Sequence, residues 1–328
     1  HQRAHGYYPS FLWKDGERLP LPGNTHADGG KTPEIYGPGA TEKRRGNRDG
    51  KVTYAPDAML AETLKFMEEN RNRPMFILFS TNLPHGPVDI PPAENKYAGH
   101  PAIRQAYAGA AGGNRECAGA AEEYASMVDK LDRQVGAILA QVHKLGLEKR
   151  TIIVFSSDNG HELYYRTDKE RGRGLNCHGG VLDGTGELLD VFRGSRGLIG
   201  QKNAMVNLAG LKWTNHEGGI RVPLIVSWPG TVPHGKVCRS LVANYDHMAT
   251  FAELAGVGMP EGKDSVSYKN MLFGKPSSQR DYVVVDHTVI TGDGWKLTHK
   301  QDKWLLFQIS SDPEERHNLA ETRKDQLE

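Results

Sequence analysis

The chain has 328 residues, and its 41 Lys+Arg face 40 Asp+Glu, for a formal net charge of +1 with 14 histidines uncounted. That balance excludes nucleic-acid binding through bulk charge, and no stretch approaches the roughly 20 consecutive apolar residues of a membrane-spanning helix. With 38% hydrophobic and 25% charged residues the composition is that of a globular protein with a sizeable core, long enough for one large domain or two unequal ones.

From residue 1 to about Tyr54 the sequence is rich in Gly, Pro, Asn and charge, with aromatic islands at Tyr7, Tyr8, Phe11 and Trp13 and no sustained helix or strand period, so it reads as an ordered surface excursion. Ala58 to Asn70 then places Met59, Leu60, Leu64 and Met67 at helical spacing, and Pro74 to Ser80 follows as a short apolar run that predicts a buried strand. The unit recurs: Glu122 to Leu145 carries Tyr124, Met127, Leu131, Val135, Ile138, Leu139 and Val142 on one stripe, and Thr151 to Ser156 is the next apolar strand. A third buried strand is expected at Val222 to Trp228 and a helix from Asp246 to about Ala255.

Helix, polar turn and buried strand in repetition predict an α/β fold with a mostly parallel sheet sandwiched by helices. After Gly262 the texture changes to short strands, Tyr282–Val285, Trp295–Thr298 and Trp304–Ile309, which predict a small antiparallel subdomain. The division expected is 1–277 for the α/β domain and 278–328 for that subdomain. The 38 glycines and 18 prolines, together about a sixth of the chain against an average near 12%, point to many loops. Three cysteines, Cys117, Cys177 and Cys238, are too few to staple a domain of this size.

In open α/β sheets ligands bind beyond the carboxyl ends of the strands, which draws attention to three segments. The first strand runs into Asn82-Leu-Pro-His85-Gly-Pro87, the second into Ser157-Asp158-Asn159-Gly160-His161-Glu162, and the third is preceded by Lys212-Trp-Thr-Asn-His-Glu217-Gly-Gly-Ile-Arg221-Val-Pro223. Asp158 and Asn159 offer adjacent hard oxygen donors suited to Ca²⁺ or Mg²⁺, and the same Asp-Asn-Gly is also an ordinary turn sequence. His85 between two prolines suits a general acid or a ligand, or neither. Lys212 alone is compatible with a solvated charge, and Glu217-Gly-Gly with a turn that lets two segments approach closely. Beyond His1 and His5 no two histidines stand at His-x-x-x-His spacing, and no Cys-x-x-Cys pair, nucleophile elbow or phosphate loop is present.

Together the segments resemble the sulfatases of the alkaline phosphatase superfamily, arylsulfatase-like enzymes in particular. The resemblance runs in order through Ala4–Asn24, PMFILFSTNLPHGP, YASMVDKLDRQVGAIL, TIIVFSSDNG, LKWTNHEGGIRVPLIVSWPG, YDHMATFAELAG and the closing GWKL and DPEERHNLAE segments. It implies that Asp158 and Asn159 are metal ligands, normally to Ca²⁺, with Mg²⁺ the alternative. It further implies that His85 contacts the sulfate and protonates the leaving oxygen, and that Lys212 bridges the sulfate and that oxygen. His161 and Glu162 stand beside the metal pair, as substrate-binding residues or as loop packing. A divalent cation, a fixed ammonium and a proton donor are what a sulfate ester needs, because negative charge spreads over its oxygens in the transition state.

The family nucleophile, a formylglycine made from the first residue of Cys/Ser-x-Pro-x-Arg, has no counterpart motif in these 328 residues. With no initiator Met or leader at His1, the sequence is expected to be a piece of a longer protein whose upstream part supplies that motif, a first strand and further metal ligands, and to be inactive alone. The expected partner is a sulfated small molecule or glycan, with no nucleic acid and no membrane span, in a periplasmic, extracellular or lysosomal setting. Oligomeric state is left open. The alternatives are a phosphoester or phosphonate hydrolase of the same superfamily and a non-catalytic carbohydrate-binding relative.

Overall fold

The computed structural model describes residues 6–24, 53–85, 88–108, 115–160, 214–259, 261–275, 280–300 and 302–327, with the short pieces 174–175, 181–182, 188–189, 208–209 and 212. The chain separates into two compact units: His1–Leu147 with Leu163–Thr185 and Gly197–Gly200, and Glu148–Glu162 with Gly186–Arg196 and Gln201–Glu328.

The first unit opens with a hairpin, β1 (Phe11–Lys14) against β2 (Glu17–Pro20), paired from Phe11↔Pro20 to Lys14↔Glu17. Its two-residue turn, Asp15 at φ 52° and Gly16 at φ 87°, is the Asp-Gly turn whose twist suits antiparallel strands. Helix α1 (Ala55–Glu69) starts with Pro56 in its first positions and Asp57 in its first turn, where a missing N–H and a negative charge both fit the helix amino end. Helices α2 (Pro101–Ala108) and α3 (Arg115–Lys144) follow. At 30 residues α3 is about 45 Å long.

Around α3 lies the apolar core of this unit: Tyr7, Tyr8, Tyr54, Leu83, Val88, Ile90 and Met127, with Tyr124 and Leu131 packed against them. Of the apolar stripe anticipated on α3, Met127 and Val142 are buried, whereas Leu139 is 43% exposed. Glu122, Ser126, Lys130 and Gln134 are buried too, four residues apart and so on one line of the helix. Each has a partner: Arg104 for Glu122 at 2.9 Å, Asn95 for Ser126 at 2.8 Å, Asp57 and Glu94 for Lys130 at 2.6 and 2.8 Å, and the Pro56 carbonyl for Gln134 at 2.9 Å. Buried polar groups persist when they are satisfied in this way.

The second unit contains β3 (Ile153–Ser156), and the short strands β4 (Gly174–Leu175) and β5 (Val181–Leu182), which pair antiparallel, belong to the first. A two-residue strand β6 (Leu188–Leu189) precedes α4 (Glu217–Ile220), β7 (Leu224–Ser227), α5 (Asp246–Ala255) and α6 (Lys269–Leu272). Helix α5 ends as its sequence dictates: Gly256 takes the left-handed conformation at φ 69°, and Val257 N–H returns to the Ala252 carbonyl at 3.0 Å. The subdomain that follows is a four-stranded antiparallel meander, β8 (Tyr282–Val285), β9 (Thr288–Thr291), β10 (Trp295–Lys300) and β11 (Lys303–Gln308), in the order β11-β10-β9-β8.

Two strand expectations change. Pro74–Ser80 joins no ladder among the described residues, and Phe76 and Leu78 are 77% and 80% exposed. An apolar run becomes a buried strand only where a neighbour supplies hydrogen-bond partners and cover. Val222–Trp228, read as an extension of a parallel sheet, forms β7 and pairs antiparallel with β3, from Ile153↔Ser227 to Ser156↔Leu224.

Candidate functional site

The antiparallel pairing of β3 and β7 decides where the site residues meet. It sets the carboxyl end of β3, which runs into Ser157-Asp158-Asn159-Gly160, beside the amino end of β7, which is entered from Glu217-Gly-Gly-Ile-Arg-Val-Pro223. Gly160 N–H donates to the Gly219 carbonyl at 2.9 Å. A Cβ on Gly160 would stand 1.8 Å from the Gly218 carbonyl oxygen, so only glycine permits this approach. Gly218 N–H in turn donates to the Ala209 carbonyl at 2.6 Å, three residues before Lys212.

Asp158 is exposed on this turn and Asn159 is half-buried. The Asn159 amide nitrogen is directed to the Gly160 carbonyl at 3.2 Å, which leaves its side-chain oxygen as an acceptor on the residue that follows Asp158. The Ser157 hydroxyl, on the Asn159 carbonyl at 2.9 Å, and Asn244 Nδ2, on the Ser157 carbonyl at 3.1 Å, hold the turn from within the same unit. Two adjacent hard oxygens fit a divalent cation as part of its ligand set. No group of three His, Cys, Asp or Glu able to hold a metal gathers among the described residues. Lys212 lies half-buried in a turn of the segment that leads into α4.

His85 belongs to the other unit and is half-buried. Its loop is fixed by an aromatic clamp: His85 N–H donates to the Asn82 carbonyl at 2.8 Å, and the Tyr7 hydroxyl reaches the carbonyl oxygens of Asn82 and His85 at 2.8 and 2.5 Å. Tyr7 is 1% exposed and stacks on Tyr54 at 5.4 Å between ring centroids, and burial drives the Tyr54 hydroxyl pKa upward. The aromatic opening of the chain therefore supports the His85 loop from beneath. His161 and Glu162 lie outside the described residues.

A cluster not anticipated from the sequence stands behind α4. Lys296 of β10 is fully buried, flanked in the ladder by Ile290 and Phe307, which are both buried. Its Nζ donates to Glu315 Oε1 at 2.9 Å and to Glu217 Oε1 at 3.2 Å. Glu315 Oε1 also accepts the Glu217 N–H at 2.7 Å, Glu315 Oε2 meets His216 Nδ1 at 2.7 Å, and Arg221 Nη1 lies 3.6 Å from Glu217 Oε2. Burial alone would raise the Glu315 pKa, but the His216 hydrogen bond and the Lys296 charge together hold it below the usual carboxylate range. Glu315 sits at φ 49°, a left-handed conformation that costs a non-glycine residue on the order of 1 kcal/mol or more. Asp312 fixes that turn by accepting the N–H groups of Arg316 and His317 at 3.1 and 2.9 Å. The sequence signal was a Lys in an alternating strand and a Glu behind Asp-Pro, neither of which announces burial.

Comparisons with known proteins bear on the family and the fold. Solved sulfatases of the alkaline phosphatase-like fold superpose on the chain. One of them, determined in complex with its substrate D-glucosamine-2-N,6-O-disulfate, matches 99% of this chain and 72% of its own at a TM-score of 0.61 and 17% identity. The sulfatase family model matches residues 5–257, and the model for the N-sulphoglucosamine sulphohydrolase C-terminal region matches 212–327; the chain belongs to the sulfatase family. Among curated relatives, N-acetylgalactosamine-6-O-sulfatase of Bacteroides thetaiotaomicron is 27% identical over 213 residues, 58% of this chain and 37% of the relative. Human steryl-sulfatase is 30% identical over 189 residues, 56% of this chain and 27% of the relative. The aligned part thus amounts to about a third of these relatives' length.

Proposed function

We propose that the protein is a sulfuric ester hydrolase that removes sulfate from a sulfated glycan. The observation that carries this reading is the junction of the Asp158–Asn159 turn with the glycine turn behind Lys212, at one end of the β3/β7 pair in a chain of the sulfatase family. Sulfated amino sugars in the names of relatives and in a solved complex support the glycan class.

In this reading Asp158 and Asn159 hold Ca²⁺, or Mg²⁺, as two of its ligands, and the bound cation supplies positive charge for the sulfate oxygens. The Lys212 ammonium neutralises charge that develops on the sulfate and the departing oxygen, and His85 delivers a proton to that oxygen. His161 and Glu162 contact the sugar. The nucleophile is a formylglycine, encoded outside these 328 residues, which hold no Cys/Ser-x-Pro-x-Arg motif. The 328-residue chain assayed by itself accordingly gives no turnover. Its working compartment is exported or lysosomal, and no described helix is long and apolar enough to cross a membrane.

The test is release of inorganic sulfate from 6-O-sulfated N-acetylhexosamine oligosaccharides by the intact protein. Lys212→Ala should lower kcat by about 10²–10³, the usual loss on removing one fixed charge-stabilising donor. Hydrolysis of the matching phosphate monoester with none of the sulfate ester would identify a phosphoester hydrolase instead, and glycan binding without turnover a carbohydrate-binding relative.

A further inference from the structure

The Asp158–Asn159 turn does not stand on its own strand alone. It rests, through Gly160 N–H, on the Gly219 carbonyl of α4, and α4 is held from behind by a wholly buried set of charges. The Glu217 side chain is 4% exposed, and those of Glu315 and Lys296 are 0% exposed. A second route runs in parallel: Gly218 N–H to the Ala209 carbonyl, and Ala209 N–H to the Pro313 carbonyl at 3.2 Å, two residues from Glu315. Both routes lead from the turn with the oxygen donors to the subdomain sheet and the 312–317 turn, and every residue on them lies in one compact unit.

Such a cluster is an uneconomical way to gain stability. Desolvating an ammonium and two carboxylates offsets most of their mutual attraction, and well-packed apolar residues commonly do as well. What ion pairs with several hydrogen bonds supply is direction, because their geometry is fixed to tenths of an ångström where apolar contacts slide. Here the direction is spent on the backbone of a turn whose other face approaches Gly160 too closely for any side chain.

We propose that Lys296, Glu315 and Glu217 are positioning residues: the buried ammonium of the C-terminal sheet locks the glycine turn 217–220, and that turn sets the Asp158–Asn159 pair for its cation. The inference rests on the reading above that Asp158 and Asn159 bind a divalent cation. It assigns the C-terminal subdomain a part in building the site, although none of its residues need touch the substrate.

The intact protein tests it with Ca²⁺ alone as the probe, by isothermal titration calorimetry, together with amide hydrogen exchange at Gly160 and along β10. Glu315→Gln keeps the side-chain shape and removes the charge that faces Lys296. It should leave cooperative melting and β10 protection in place, accelerate exchange at Gly160 by about tenfold, and weaken Ca²⁺ binding by about 10–100-fold, the range for residues that orient metal ligands from behind. Gly160→Ala breaks the same junction from the other side with the charge cluster untouched, and should weaken Ca²⁺ binding equally, so the idea stays testable even if the Glu315 variant misfolds. Wild-type Ca²⁺ affinity in either folded variant overturns the proposal. Asp158→Asn separates the two readings: if it leaves Ca²⁺ binding unchanged, the metal assignment fails, whereas its loss of binding beside an unaffected Glu315→Gln sinks the positioning role alone.

Discussion

The two units bury different things. One closes around tyrosines and Met127, with a polar row on α3 partnered residue by residue. The other places a charged cluster, Lys296 with Glu217 and Glu315, behind its glycine turn. An apolar core has no directional bonds, so a truncated side chain costs it contacts and leaves a cavity but strands no charge. A buried charge cluster differs, since each lost partner leaves an ion less compensated. The contrast predicts where substitutions will be costly and where they will only be awkward.

The largest effect should come from Lys296→Met, which removes the ammonium shared by two buried carboxylates and should lower unfolding free energy by about 3–5 kcal/mol in urea titrations. Met127→Ala, at a position fully buried in the other unit, should cost about 2–4 kcal/mol, depending on how far the cavity collapses. If the methionine change proves the more damaging of the two, the charge cluster is dispensable and the contrast breaks. Acid provides the gentlest test. Because the folded pKa of Glu315 lies below its ordinary value of 4.5, its contribution is complete above that pH and fades as pH falls through the lowered value. Glu315→Gln should therefore flatten the acid limb of the stability profile, and an unchanged limb would remove Glu315 from the account.

Much of the architecture was legible locally. Helix α5 runs from Asp246 to Ala255 as its periodicity and following glycine require, and β8 matches its apolar run residue for residue. The β1/β2 hairpin was missed because its strands are only four residues long, too short to show a period, although Asp15-Gly16 was a usable turn signal. Strand β9 was missed for the same reason. Pro74–Ser80 shows the opposite error: its composition is that of a buried strand, yet pairing and burial belong to neighbours and cannot be read from the run itself. The site residues in Asp-Asn-Gly and Glu-Gly-Gly were visible as motifs, while nothing local to Lys296 or Glu315 signals that their side chains are buried together.

By itself the sequence marked the longer helices, several of the strands and the side chains that offer oxygen donors or positive charge, because those follow from local periodicity and residue chemistry. Only the tertiary structure decided that β3 meets β7 antiparallel, which brings Gly160 onto Gly219 across 59 residues of chain, and that Lys296 turns inward to Glu217 and Glu315. The physical reason is that strand direction and the burial of a charge are settled by partners distant in sequence. A lysine is driven inside only where carboxylates from two other segments are already waiting for it.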